Sequence, residues 1–413
     1  MSDLFQTSPV ILPYRRIRDE SWDFRGVPAG QGVYALHPYP AMFHFGVVRR
    51  ILREYAAPGS HILDPFMGSG VAAVEALTHG CAFTGCDLNP LAVLLTRVRT
   101  TPIPSKVLYQ HLSLLHSAYT QASPHFIPSV PQLRYWFSER VIEELSRLHS
   151  IISTIEEEAV RNFFWITFSE TVRESSLTDA KEFKLIRRKS EEKRDVWTIF
   201  HAIAHRNIAA LATFRPPSPL PPILLYQGDV LEVAPHLSSE EYDLLLTSPP
   251  YGDSRTTVAY GQFSRLSLWW LGYMEDVDKA ALGSQRRPIH SNLPSPLLYE
   301  VLSHIQQKDP KRSEEVFSFF ADFYEVAKRL APLVKRKGYA FFLVGNRRVR
   351  GIEIPMDAIV ADFFQSLGYL HERTYIRQIS NKRMPVENSP TNTPGQKEGT
   401  MRYEYLVKLR RID

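Results

Sequence analysis

Apolar and polar positions alternate between two periodicities near the start of the chain. Residues 61–66, HILDPF, form a short apolar run that stops at Met67-Gly68-Ser69-Gly70. Such a run ended by glycines predicts a buried strand and a tight turn. VAAVEALTHG follows with helical spacing and stops at Gly80, where a glycine commonly ends a helix. AFTGCDL then reads as a second strand and NPLAVLLTRVRT as a second helix. Strand, glycine turn, helix, strand is the opening of a doubly wound α/β sheet.

From residue 102 to 222 the alternation gives way to helical segments and polar loops, among them RYWFSERVIEELSRLHSII and EEAVRNFFWITFSETVR. The charged stretch KEFKLIRRKSEEKR (181–194) lies inside this region, and the proline cluster RPPSPLPP (215–222) closes it like a linker. Strands resume with ILLYQGD, DLLLTSPP and GYAFFLVGN, and RTYIRQI with YEYLVKL predicts a final antiparallel pair. Helical segments fall at 311–334 and 353–367, and Trp269 and Trp270 read as helix core. The count is about seven strands, with helices for both faces of the sheet and a mainly helical insertion.

Composition narrows the class. The chain has 413 residues, 44% of them hydrophobic and 23% charged, with a formal net charge of +5 and a pI of about 9.0. That balance permits a polyanionic partner without demanding one. Two cysteines, Cys81 and Cys86, cannot build a disulfide framework or a zinc site. No eighteen-residue apolar run and no secretory core are present, so the expectation is a prokaryotic cytoplasmic protein with no membrane association. The fourteen histidines show no metal-ligand spacing, and no metal is expected.

Two loops carry chemistry. In DPFMGSG, Gly68 and Gly70 let a ligand pass close over the first turn. Asp87, at the end of the second strand, is placed to accept from ribose hydroxyls. The third glycine of a phosphate-cradling GxGxxG is missing, which suits a cationic sulfonium, and Asp64 can face an amino group. The sharper signal is Thr247-Ser248-Pro249-Pro250-Tyr251 after the apolar strand. Two prolines there make a stiff loop whose carbonyls are free to accept from an amine. Tyr251 offers a ring on which a planar base can stack.

Together these loops resemble the amino-methyltransferases of DNA that act on cytosine N4 or adenine N6, especially the cytosine-N4 branch of restriction–modification enzymes. The resemblance implies a Rossmann-like, seven-stranded S-adenosyl-L-methionine-dependent methyltransferase sheet. It implies cofactor contacts from Asp64, Pro65, Phe66, Gly68, Gly70, Asp87 and Leu88, and from His37, Tyr39 and Pro40 in HPYPAMF, which resembles the segment closing over the methionine moiety. Asp229 in QGD resembles the acid that meets the adenine amine, and Ser248, Pro249, Pro250 and Tyr251 would hold the target amine. Adenine-N6 enzymes more often carry Asp or Asn where this chain has Ser248, which favours cytosine N4. Adenine N6, or a transfer-RNA guanosine-N2 activity, are the alternative readings.

The implied organisation is an N-terminal segment (1–60) packing on the cofactor site, a catalytic domain (61–101 and 223–413), and the insertion 102–222 as a candidate target-recognition region. Many members carry the catalytic loop before the cofactor turn; here the order is reversed, an arrangement read as permuted. Double-stranded DNA is the expected partner, together with a cognate restriction endonuclease. Candidate DNA contacts are Arg255 and Thr256 after the tetrapeptide, and Asn381, Lys382, Arg383, Asn388 and Asn392 in a tail with nine Lys or Arg against five Asp or Glu over 371–413. Covalent C5 chemistry needs a cysteine nucleophile, and neither cysteine sits in a fitting context, so direct transfer to a nitrogen is left.

Overall fold

The computed structural model describes residues 14–179, 184–188, 195–252, 260–274, 276–289, 293–379, 387–388, 398–399 and 401–412. Eight strands form the main sheet: β1 (Arg16–Arg18), β2 (His61–Asp64), β3 (Ala82–Asp87), β4 (Ile223–Gln227), β5 (Tyr242–Thr247), β6 (Val334–Val344), β9 (Tyr369–Gln378) and β12 (Tyr403–Arg411). Two short hairpins, β7 (Arg348–Val349) with β8 (Ile352–Glu353) and β10 (Glu387–Asn388) with β11 (Glu398–Gly399), lie outside it. The order is β1-β9-β12-β6-β5-β2-β3-β4, and β12 alone runs antiparallel to its neighbours.

From β2 the chain winds outward through β3 to β4. It then returns to the other side of β2 and winds outward again through β5 and β6. The reversal therefore falls between β2 and β5, and an open α/β sheet binds its ligands at the carboxyl ends of the strands flanking such a switch point. The final pair is as expected, with β12 inserted between β6 and β9.

The eighth strand was not expected. Arg16–Arg18 is charged and too short to register as an apolar run. It joins by backbone pairing parallel to β9, and Arg16 grips the buried Asp357 carboxylate with two bonds of 2.7 and 2.6 Å. The segment before the first catalytic strand thus also caps the far edge of the sheet.

Alternation along each strand divides the core in two, because successive side chains point to opposite faces. On one face Ile62, Leu244, Leu246, Phe341 and Leu343 pack with α1 (Phe45–Tyr55), α2 (Val71–Thr78) and α3 (Pro90–Thr100). The insertion, α4 (Ser105–Tyr119), α5 (Leu133–Trp136), α6 (Glu139–Ser153), α7 (Glu158–Ser175) and α8 (Val196–Leu211), belongs to the same apolar cluster. On the other face Leu63, Leu245, Phe342 and Val344 pack with α9 (Val230–Val233), α11 (Pro296–Lys308), α12 (Pro310–Leu330) and α13 (Met356–Gln365). The prolines at the starts of α3, α11 and α12 sit at first-turn positions where a missing N–H costs nothing.

The joint between insertion and sheet is aromatic. Trp270, at the end of α10 (Tyr260–Trp270), is fully buried with Phe137 and Phe168 of the insertion at ring distances of 6.0 and 6.2 Å. Trp269 is also buried, so the expectation for this pair holds. Replacing Trp270 by Ala should cost about 3–5 kcal/mol, the usual range for emptying a large core site. Because one cluster spans insertion and sheet, urea unfolding followed by fluorescence and by circular dichroism should shift as one transition.

Candidate active site

The two loops singled out in the sequence meet. β2 and β5 are parallel neighbours, so their carboxyl ends lie at the same edge of the sheet. Thr247, the last residue of β5, donates its hydroxyl to Asp64 Oδ1 at 2.6 Å, across 183 residues of sequence. The same Asp64 oxygen accepts from the backbone N–H of Phe66 at 3.1 Å, which sets the start of the glycine turn.

The turn itself is shaped by glycines with positive φ, and at the second of them a side chain could not fit. Gly68 has φ +49° and Gly70 φ +78°. A Cβ on Gly70 would meet the Thr96 hydroxyl of α3 at 2.5 Å, so Gly70 seats the turn against a helix. Gly68 lines the cleft, and its N–H donates to Asp87 Oδ2 at 2.8 Å while the N–H of Asn89 donates to Oδ1 at 2.8 Å. That pair of bonds fixes the Asp87 carboxylate at the tip of β3.

One cleft of about 1170 Å³, mouth included, opens above these strand ends. Of the residues expected to bind cofactor, Tyr39, Asp64, Pro65, Phe66, Gly68, Asp87, Leu88 and Asp229 line it, and so do Ser248 and Pro250 of the tetrapeptide. Asp229 also caps α9 by accepting from Leu231 N–H at 2.9 Å. Gly70, Pro40, Pro249 and Tyr251 lie beside the cleft rather than in its wall. His37 is turned away from it: the ring bonds the Ser169 hydroxyl at 2.7 Å and the Pro38 carbonyl at 2.6 Å, and burial pulls its pKa down to about 3. It anchors the HPYP segment to α7 as a neutral ring.

Other wall residues carry no motif in the sequence. Asn89 caps α3 through Leu91 N–H and reaches Ser264 of α10 at 3.1 Å. The asparagine-proline start of that helix is a legible capping signature, though nothing in it announces a ligand. Tyr260 and Asp278 come from beyond the tetrapeptide, and Tyr260 lies 6.1 Å from Tyr39, ring to ring. Arg99, fully buried in α3, donates to the carbonyls of Ser69 at 2.6 Å and Tyr34 at 2.7 Å, tying the N-terminal wall to the glycine turn. Arg255, Thr256, Asn381, Lys382, Arg383 and Asn392 lie outside the described residues, and Asn388 is described only as backbone of β10.

The electrostatics ask for a cation. Burial raises the Asp64 pKa to about 7, against the opposing bonds from Thr247 and Phe66 and with Asp87 adding to the rise. Burial raises Asp87 to about 6 against its two backbone bonds. Neither carboxylate is ion-paired by a Lys or Arg among the described residues. A buried and a half-buried acid without a counter-ion among the described residues, beside a glycine-walled channel, fit a ligand with an ammonium, a sulfonium and ribose hydroxyls. Both cysteines are buried and free, with thiols pushed above their ordinary range by burial, Cys81 to about 11. Neither lines the cleft, which agrees with excluding a covalent cysteine mechanism.

Fold and site thus define an α/β transferase with a nucleoside-type cofactor beside a proline-stiffened acceptor loop. Residues 12–96 match the DNA methylase family N6_N4_Mtase. The chain is 32% identical over 409 residues to the type II methyltransferase M.MvaI of Kocuria varians, covering 91% of this chain and 90% of that one. It is 34% identical over 67 residues to the type II methyltransferase M.MjaII of Methanocaldococcus jannaschii, covering 16% and 13%. Among solved structures, the rRNA methyltransferase aviRa of Streptomyces viridochromogenes matches with 13% identity over 95% of this chain and 94% of that one, at a TM-score of 0.32. The chain belongs to the N4/N6 family of DNA methyltransferases, type II class. It acts on DNA, and its cofactor is S-adenosyl-L-methionine. Among the described residues no helix is long and apolar enough to cross a membrane, and no group of three or more His, Cys, Asp or Glu could hold a metal.

A folded-state carboxyl pKa raised above the unfolded value of about 4 means that the native protein binds more protons than the unfolded chain between about pH 4 and 7. Stability of the cofactor-free protein should therefore fall as pH rises through that window and level off above it. Affinity for the cationic cofactor should run the opposite way, rising to a plateau above about pH 7 as Asp64 ionises. Calorimetric titration with S-adenosyl-L-methionine from pH 5 to 8 checks this. Asp64→Asn should weaken binding at pH 8 and flatten most of the dependence.

Proposed function

We propose that this enzyme transfers the methyl group to the exocyclic N4 amine of cytosine in double-stranded DNA, as the modification partner of a type II restriction endonuclease. The observation that carries the reading is Ser248 lining the same cleft as Asp64 and Asp87, at the head of a loop joined to the cofactor strand by the Thr247–Asp64 bond. S-Adenosyl-L-methionine supplies an electrophilic methyl on a sulfonium. The protein's task is to make a poor nucleophile attack in line, because the amine lone pair is delocalised into the base.

Ser248 donates its hydroxyl to the Leu343 carbonyl at 3.1 Å, which leaves its lone pairs to accept an amine N–H. The Pro249 carbonyl, just beside the cleft wall, is the proposed second acceptor for an amine that enters past Ser248, and neither proline has an N–H that would compete for the amine lone pair. With both N–H groups held, the nitrogen turns tetrahedral and its lone pair is aimed at the methyl; the gain comes from positioning and preorganised dipoles. Tyr260 and Tyr39 supply rings at the cleft. The base reaches this site only out of the stack, at a cost of a few kcal/mol.

A serine rather than Asp or Asn at the head of the loop supports N4 of cytosine over N6 of adenine. Arg255, Thr256, Asn381, Lys382, Arg383, Asn388 and Asn392 are proposed DNA contacts, and the insertion 102–222 the proposed target-recognition region. Mass spectrometry of nucleosides from DNA methylated by the enzyme should find N4-methylcytosine; N6-methyladenine instead would refute the assignment. Ser248→Ala should lower turnover by about 10²-fold or more, the scale of losing one preorganised partner, with cofactor affinity within about twofold. A parallel loss of both would make the serine structural.

A further inference from the structure

Behind the acceptor loop runs a polar chain that the reaction as described does not use. Tyr251, whose ring packs beside Gly345, does not turn its hydroxyl into the cleft. Its hydroxyl oxygen lies 3.3 Å from Ser248 Oγ and donates to Glu404 Oε1 at 3.2 Å. The other Glu404 oxygen accepts from Arg377 Nη1 at 2.7 Å. Arg377 is buried, with its Nε donating to the Trp22 carbonyl at 2.9 Å. Glu404 and Arg377 face each other across the β12–β9 ladder as paired residues, so the sheet holds the carboxylate in place.

We infer that Glu404 is a positioning residue for methyl transfer: by taking the single hydroxyl proton of Tyr251, it keeps the lone pairs of Ser248 free to accept the target amine. A tyrosine hydroxyl carries one donor and a serine hydroxyl one donor and two acceptor sites. Ser248 spends its proton on the Leu343 carbonyl or on Tyr251. In either case the amine must find an unoccupied serine lone pair. Were Tyr251 to donate to Ser248 instead, it would fill one of those sites and compete with the substrate. The Glu404 carboxylate is an acceptor only, and a charged acceptor makes the stronger bond, so it draws the tyrosine proton away from the serine. Arg377 holds that carboxylate in register. The chain therefore runs in one direction, from the amine toward the buried ion pair.

The inference rests on Ser248 being the amine acceptor, and the test separates the two. Glu404→Gln keeps the shape, but its amide can donate to the tyrosine oxygen and release the tyrosine proton toward Ser248. Single-turnover methylation at saturating DNA and S-adenosyl-L-methionine should slow by about tenfold or more, on the scale of a weakened preorganised contact. The calorimetric Kd for S-adenosyl-L-methionine should stay within twofold. With Tyr251→Phe there is no hydroxyl proton to redirect. Whatever rate that background has, adding Glu404→Gln to it should change the rate less than twofold.

An equal slowing by Glu404→Gln in both backgrounds, or none in the wild-type background, would overturn the inference. If Glu404→Gln alone does not fold, Arg377→Met combined with it leaves no unpaired charge, and the same comparison is made with that pair. Should Ser248→Ala itself leave turnover intact, the proposed amine site fails, and this inference fails with it. If Ser248→Ala abolishes turnover while Glu404→Gln is silent, only the positioning role of Glu404 is lost.

Discussion

Everything at the site depends on β2 and β5 being parallel neighbours at the point where the sheet reverses its winding. Parallel strands deliver their carboxyl ends to one edge, so Asp64 at the end of β2 and Ser248 just after β5 face the same cleft. The Thr247–Asp64 hydrogen bond is the local expression of that constraint. It spends one Asp64 oxygen on joining acceptor loop to cofactor loop and leaves the other without a partner among the described residues. The two loops meet without any rearrangement of the strands that carry them. The backbone ladder has already brought them together.

The same edge concentrates carboxyl groups that protonation or a cationic ligand would relieve. Asp64 is buried and Asp87 half-buried, both with hydrogen bonds but no counter-ion among the described residues, while Arg99 is buried with carbonyl partners. Burying unpaired charge is costly, and a protein tolerates it where a bound group completes the balance. The carboxylates lie in the cleft wall, whereas the arginine is withdrawn into the helix layer, where it ties the Tyr34–Met42 segment to the glycine turn.

Much of this was legible along the chain. DPFMGSG and TSPPY each follow an apolar run, and their prolines and glycines state local backbone demands that hold in any fold. Thus Asp64, Gly68, Asp87 and Ser248 were readable as candidate site residues, and all four line the cleft. Tyr260, Asp278, Asn89 and Glu404 were not. Tyr260 and Asp278 reach the cleft through tertiary packing of a helix and a short turn. Glu404 sits in an unremarkable strand and gains its partners only because β12 lies between β6 and β9. His37 shows the converse, since its place in HPYP suggested a cofactor contact and packing turned its ring toward Ser169. Arg16–Arg18 escaped notice because an edge strand paired through its backbone needs no apolar pattern.

Sequence by itself determined the element types, the two reactive loops and the class of chemistry, because periodicity, proline and glycine act through local backbone geometry. Tertiary structure decided which strands are neighbours, which side chains face the cleft and which acids are left without a counter-ion. Those outcomes depend on burial and on contacts between residues far apart in the chain, and neither quantity is written in any local stretch of it.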